Sequence, residues 1–531
     1  MIESVTQGMS RRSLFTLIGS VAGGAIMYEA MSSLAYAQES TFDGPAKLTG
    51  DAKGASVLIL GAGLAGMSAA YELRKAGYKV QILEFQDRAG GRNWSIRGGD
   101  VYTELGGATQ KCEFDTGLYI NPGPWRIPYH HHGILHYCKE LKVALQPFVQ
   151  TGYNTYLHST KAFGGKPQRF RHIQADFNGY AAELLAKSTR QSALDQMVTK
   201  EDREVLMEAM RSWGALDKNY EYKKGLETSD RRGYDKDPGG GLSARPIPSE
   251  PLAMSDVLQS QLWRYISTGH GYEFQNTLFQ PVGGMGMIGT AFGKALDGVI
   301  QYGCKVTDIK QDASGVTVTY VPTKGGGPAR TARADWCLNT IPASVLSQIP
   351  MNVGDKMQAA INALSYGASI KVGLQFKRRF WEEDEHIYGG ISYTDQPNAQ
   401  ISYPSTDYFS SGKGVLLGAY TFGPNAYRYA ALSPEERIAR TVEYGSKIHP
   451  QYKAEFENGV AVAWHRVPWV LGCSGSWTDD LRAQHYDNLC QIDGRILLAG
   501  EHASYIPAWQ EGAITSAQDA ITRLHKRVLA A

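Results

Sequence analysis

Gly61-Ala62-Gly63-Leu64-Ala65-Gly66 places three glycines where backbone can close on a pyrophosphate. Gly61 permits a tight turn, Gly63 leaves room for phosphates to approach, and Gly66 lets a helix pack against the preceding strand. Leu64 and Ala65 lie between the glycines, ahead of that helix, whose N-terminal amides attract an anion. Glu84 follows about 20 residues later, where an acid can accept hydrogen bonds from the ribose hydroxyls of a dinucleotide. A glycine triplet alone is weak evidence, but strand, turn, helix and acid occur here in the required order. A second group suited to chemistry is Arg126, in Gly123-Pro124-Trp125-Arg126-Ile127-Pro128. The prolines restrict φ, so its guanidinium would be held before any ligand arrives, and its fork can grip a carboxylate through two bonds. A solvent-facing or phosphate-binding arginine is the alternative reading.

These groups need elements to position them. Ser56-Val57-Leu58-Ile59-Leu60 is apolar without alternation, as in a parallel strand buried on both faces. Met67 to Ala76 reads as a helix stopped by Gly77, and Lys79 to Leu83 as a second strand ending in Glu84. Lys305–Ile309 and Gly315–Tyr320 alternate like hairpin strands, and Trp336–Pro342 reads as a buried strand. Ile134 to Leu141 looks helical, and helix formers dominate from Ala182 to Trp213. Ser229 to Pro251, with Gly239-Gly240-Gly241 and three prolines, reads as a long irregular loop.

Further motifs carry a resemblance. Arg88-Ala89-Gly90-Gly91-Arg92 lies just past Glu84, close enough to fold back on the same diphosphate. Pro281-Val282-Gly283-Gly284-Met285 stands midway; Gly494 to Glu501 is a strand delivering an acid, and Trp509-Gln510-Glu511-Gly512-Ala513-Ile514 opens the last helix. Together they resemble the flavin amine oxidase superfamily, which includes monoamine, polyamine and L-amino acid oxidases. The resemblance implies FAD, with Arg88, Gly91 and Arg92 near the diphosphate and Val306 at the adenine end. It also implies Glu501 near the ribityl chain and the backbone of Gln510, Glu511, Gly512 and Ala513 near the isoalloxazine. The Arg126 segment resembles that of secreted L-amino acid oxidases, in which this arginine holds the substrate α-carboxylate. Ser369 to Leu374, Tyr388-Gly389-Gly390 and Gln400 to Pro404 resemble their substrate sheet. By that likeness Tyr403 partners Arg126, and Lys371 holds a water beside the flavin and assists reaction with O2. Trp464 to Trp469, followed by Gly472-Cys473-Ser474, is similar to the strand and turn beside the ring. Trp469 and Trp509 are then aromatic walls, Ser474 replaces one aromatic of the monoamine oxidase cage, and Cys473 falls at the position that tethers flavin in some relatives.

The implied fold is α/β: a discontinuous Rossmann-type FAD-binding domain (54–115, 275–345 and 478–531), a mixed-sheet substrate domain (116–165 and 346–477) and a helical cap (166–274). The implied reaction is oxidative deamination of L-amino acids with O2 to 2-oxo acids, ammonia and H2O2. Monoamine or polyamine oxidation and amino-acid 2-monooxygenation are alternatives on the same scaffold.

With 531 residues, 43% hydrophobic and 20% charged, the chain is long enough for several domains, and 54 Lys+Arg against 52 Asp+Glu give no reason to expect a nucleic acid partner. Ser10-Arg11-Arg12-Ser13-Leu14-Phe15, an apolar run to Met27 and Ala35-Tyr36-Ala37 resemble a twin-arginine export signal over 1–37, implying a periplasmic or secreted enzyme. The run is shorter than the roughly 18–20 residues of a bilayer span, and no later segment looks transmembrane, so stable membrane insertion is not expected. Six cysteines lack metal-ligand spacing, and the His130-His131-His132 triplet reads as a polar turn, so no metal is expected. A homodimer stays open.

Overall fold

The computed structural model describes residues 40–190 and 199–530, so the expected export signal lies outside the described residues. Ser56–Leu60 forms the middle of a five-stranded parallel sheet in the order Ile300–Gln301, Lys79–Leu83, Ser56–Leu60, Trp336–Asn339 and Ile496–Leu498. Val57 to Leu60 are buried on both faces, which accounts for their lack of polar alternation. The strands come from distant parts of the chain, so this unit is discontinuous, as expected.

The following helix spans Leu64–Lys75 and begins at the glycine turn, three residues before the apolar spacing indicated. Gly63 is its N-cap in extended conformation, without a side-chain cap. Leu64, Ala65 and Met67 are buried from the first turn onward, so the helix is packed where its own periodicity is weakest. The Gln510–Leu529 helix shares one core with it: Ala517, Ala520, Ile521 and Leu524 pack with Met67, Ala70 and Leu73.

A second, seven-stranded mixed sheet runs in the order Gln168–Arg169, Tyr156–His158, Ile391–Thr394, Gln400–Ser402, Gly414–Phe422, Ser369–Phe376, Phe456–Ala463. All of Ser369–Phe376 is buried. Ile370, Val372, Leu374 and Phe376 enter the core beneath the sheet, so the two-residue repeat turns Ser369 and Lys371 to the opposite face.

Between these sheets in sequence lies a helical region comprising Phe170–Arg190, Lys200–Trp213, Leu226–Arg232 and Met254–Ser260. Buried Asp176 ties it together, accepting from Arg232 (2.9 and 3.3 Å), Tyr222 (2.7 Å) and the Leu252 amide (2.9 Å). The segment expected as an irregular loop instead continues the Leu226–Arg232 helix into a two-stranded ribbon, Tyr234–Lys236 with Ile247–Pro248. Its base is closed by Arg232 donating to Ser249 (2.6 Å) and the Ser249 amide donating to Ser229 (3.0 Å). No helix among the described residues is long and apolar enough to cross a membrane.

Candidate active site

A cavity opens past the carboxyl ends of three adjacent parallel strands, lined there by Gly63, Thr340 and Gly500 with Glu501. Ligands of open α/β sheets bind at this edge. Gly61 has φ +104°, and a Cβ on Gly66 would lie 2.1 Å from the Gly61 carbonyl oxygen, so helix and turn meet only through glycine. A Cβ on Gly63 would meet nothing within 4 Å. The backbone there faces open space, as approach of a phosphate requires.

The Arg88–Arg92 turn folds back on the glycines as expected. The Gly90 amide donates to the Ala62 carbonyl (2.8 Å), and a Cβ on Gly91 would lie 3.3 Å from Gly63 Cα. Glu84 is buried and accepts from the amides of Ala62 (2.6 Å) and Gln86 (2.7 Å). Burial pushes its carboxyl above the ordinary carboxylate range despite those amides and nearby Arg88. Arg88 lies over the Trp94 ring at 4.5 Å and donates to the Gly91 carbonyl (3.0 Å); burial lowers its pKa to about 10. Val306 is buried opposite Tyr320 in the Cys304–Asp312 and Gly315–Pro322 ribbon and does not line the cavity.

At the other end Arg92 donates to Glu501 (2.6 Å) and to the Cys473 carbonyl (2.9 Å), and Glu501 also accepts from the amides of Gly475 and Ala508. Burial, the largest influence, opposes ionisation of Glu501, but the Arg92 charge, His502 and the hydrogen bonds from Ala508 and Arg92 together outweigh it and hold the carboxyl below its usual range. Gln510 bonds Asn93, whose amide reaches the Met285 carbonyl. Gln510 and Ala513 line the cavity, while a Cβ on Gly512 would lie 2.2 Å from the Ile506 carbonyl. The Glu511 carboxylate points elsewhere: it accepts from the amides of Gly133 and Ile134 (2.8 Å each) and from Ser40, capping the His132–Glu140 helix. These residues fit the flavin dinucleotide that the motifs imply, with an open glycine face at one end and a paired, desolvated acid at the other.

The expected substrate residues divide. Arg126 lines the cavity and is only 5% exposed. Its backbone is fixed by Ile127–Pro128 pairing with Leu278–Phe279. Its guanidinium carbon lies 4.6 Å from the Phe274 ring, 5.0 Å from Trp125 and 5.9 Å from Trp509. Trp509 lines the cavity as expected. Lys371 is buried just behind the wall, its Nζ 4.5 Å from the Trp125 ring and 4.4 Å from Tyr420, donating to the carbonyls of Asn121 (3.3 Å) and Gly123. Burial first, and the Arg126 charge second, hold its amine well below the ordinary lysine value.

Three expected residues are not brought to this wall. Tyr403 follows the Gln400–Ser402 strand in phase with Ile401, so both enter the core under the sheet, and its hydroxyl is taken by Ser392 (2.7 Å) and His449 (2.6 Å). Trp469 stacks on Phe85 at 6.1 Å and meets Trp94 and Tyr102 edge-on, away from the cavity lining. Ser474 is buried, its carbonyl accepting from Gly367, and only the neighbouring Cys473 borders the cavity.

The wall uses residues the motifs did not single out: Trp125, Phe274, Tyr420, Phe422 and Trp464. Tyr420 lies directly across from Lys371 in the sheet, and Phe422 follows two residues on. The Gly414–Phe422 alternation could have shown that these two rings share a face; it could not show that Lys371 was the cross-strand neighbour. His130 and His131, expected in a polar turn, are instead fully buried, while His132 is exposed.

Comparison with known proteins agrees with this geometry. The family model described as flavin containing amine oxidoreductase matches residues 64–524. An L-amino-acid oxidase of Siganus canaliculatus is 30% identical over 89% of this chain and 86% of its own length. A putative L-amino-acid oxidase of Bacillus subtilis (strain 168) is 29% identical over 87% and 92%. Among solved structures, cyclohexylamine oxidase from Brevibacterium oxydans IH-35A has a TM-score of 0.58 at 17% identity, covering 90% of this chain and 99% of its own. Putrescine oxidase bound to putrescine gives 0.57 at 19% with the same coverage. At that identity the solved structures speak for the fold, and the family model with the curated relatives speaks for the chemistry: this chain belongs to the flavin-containing amine oxidoreductases and is a flavin-dependent enzyme.

Proposed function

We propose that the enzyme uses FAD to oxidise L-amino acids at the α-carbon, with O2 as electron acceptor, releasing a 2-oxo acid, ammonia and H2O2. The observation that carries this reading is the buried Arg126, set among aromatic rings in the same cavity as the glycine turn. A guanidinium in this position suits a carboxylate. A diamine would lack an anionic partner, since Glu501 is the sole carboxylate among the described residues lining the cavity and is paired with Arg92.

The flavin, when bound, supplies the two-electron oxidation. The protein binds, orients and dries the substrate. Arg126 grips the carboxylate, and Tyr420, on the same wall, takes the hydroxyl role that the resemblance gave to Tyr403. Trp509, Phe274 and Trp125 exclude water, which favours the neutral amine needed for oxidation. Lys371, its charged form disfavoured by burial, takes up and returns a proton at Nζ during reaction with O2. The twin-arginine-like segment supports an exported enzyme.

Aerobic incubation of the purified yellow protein with L- and D-amino acids and simple amines tests the reading directly. H2O2 and ammonia should form with L-amino acids alone; oxidation of simple amines in preference to them would reject it.

A further inference from the structure

His130, His131 and Glu273 have no role in the site described above, yet all are no more than 2% exposed. They come from two distant segments. The histidines form the turn between the Ile127–Pro128 strand and the His132–Glu140 helix; Glu273 sits in the short Tyr272–Phe274 turn leading to the Leu278–Pro281 strand. Glu273 Oε2 lies 3.0 Å from His131 Nε2 and 3.5 Å from His130 Nε2. The second separation is too long for a good hydrogen bond. His130 Nε2 makes none, and neither does Glu273 Oε1. The Tyr272 ring stacks on His130 at 4.1 Å, and His131 meets Trp509 edge-on at 5.1 Å, so both imidazoles are held in place.

Buried polar atoms without partners are costly and uncommon. Here the unpartnered His130 Nε2 and Glu273 Oε1 sit beside the hydrogen bond that joins His131 Nε2 to Glu273 Oε2, and one donor atom from each of the three residues lies within 4.8 Å of the others. Two imidazoles and a carboxylate are the donor set of zinc and related first-row divalent ions. Tetrahedral bonds of about 2.0–2.1 Å place neighbouring donors about 3.3 Å apart, and the two observed separations bracket that value. We propose that His130, His131 and Glu273 form a binding site for a divalent transition metal of the zinc type. A fourth position is left to water or to Glu273 Oε1.

The ion would brace the substrate wall. It would join the turn carrying Phe274 to the turn that follows Arg126, while His131 backs Trp509. Its role is structural, because none of the three ligands lines the cavity.

The test uses purified holoenzyme. After chelation and dialysis, the enzyme should take up about one Zn²⁺ per chain, counted by elemental analysis, with a higher thermal midpoint. Co²⁺ should give a d–d band to the red of the flavin absorption. Glu273→Gln and His130→Asn should each weaken uptake at least about 100-fold, with flavin absorbance reporting a retained fold. Uptake below about one-tenth of an equivalent by the parent at saturating Zn²⁺, with no shift in midpoint, overturns the site. Undiminished uptake by both variants overturns it equally. The parent measurement decides the matter if a variant fails to fold. Metal content is read without substrate, so the outcome is independent of the amino-acid reading.

Discussion

Arg126 and Lys371 put two cations into one desolvated wall, and the fold resolves the conflict by disfavouring the charge on lysine. Arg126→Lys removes the fork and should lower kcat/KM for L-amino acids about 30- to 150-fold, the equivalent of about 2–3 kcal/mol; steady-state kinetics check it. The two tyrosines separate cleanly. Tyr420→Phe should raise KM, whereas Tyr403→Phe should leave kinetics unchanged and cost about 1–3 kcal/mol of stability through the orphaned Ser392 and His449. Lys371 also makes stability depend on pH. Unfolded lysine keeps its proton to about pH 10.4 and folded Lys371 releases it earlier, so between those points the unfolded state binds more protons and stability rises with pH. In that window the parent should gain on Lys371→Met by up to about 1.4 kcal/mol per pH unit, seen as diverging urea midpoints. Stopped-flow traces of the same variant should show reoxidation slowed more than reduction.

Elements whose register is local were legible. The Ser56–Leu60 strand, the glycine turn and the Lys79–Leu83 strand declare themselves through an unbroken apolar run, φ-permissive residues and a terminal acid, all within one βαβ unit. Tyr403 was misplaced because a tyrosine between a serine and a proline does not reveal which sheet face it occupies; phase with Ile401 decides that, and Ile401 is assigned to the core only by tertiary packing. The Tyr234–Lys236 ribbon was missed for a related reason, since its closing bonds run from Ser229 and Arg232 to Ser249. Glu511 shows the same non-local logic in a helix cap. Glu511→Ala strips the His132–Glu140 helix of the acceptor for two first-turn amides and should cost about 1–2 kcal/mol. Glu511→Gln should recover part of that, because its amide oxygen still accepts; thermal melts of the pair distinguish cap from bystander.

Across the whole molecule the cavity draws its walls from both sheets and from the segments after Phe114, Glu273 and Gly500. A ligand touching so many regions stabilises them jointly by mass action. Removing the flavin should lower the thermal midpoint, and adding it back at 100 times its Kd should restore about 2.7 kcal/mol. Scanning calorimetry of stripped and reconstituted protein reads that difference.

Gly63 and Trp509 both line the cavity, and the helix that Trp509 starts packs on the helix that Gly63 caps. A ribosome adding about 5–20 residues per second needs on the order of a minute to travel from one to the other. Throughout that interval the nascent chain displays half of its nucleotide cradle with nothing to close over it. Pigment capture is therefore a late, post-synthetic event, and chains released before Trp509 should emerge colourless.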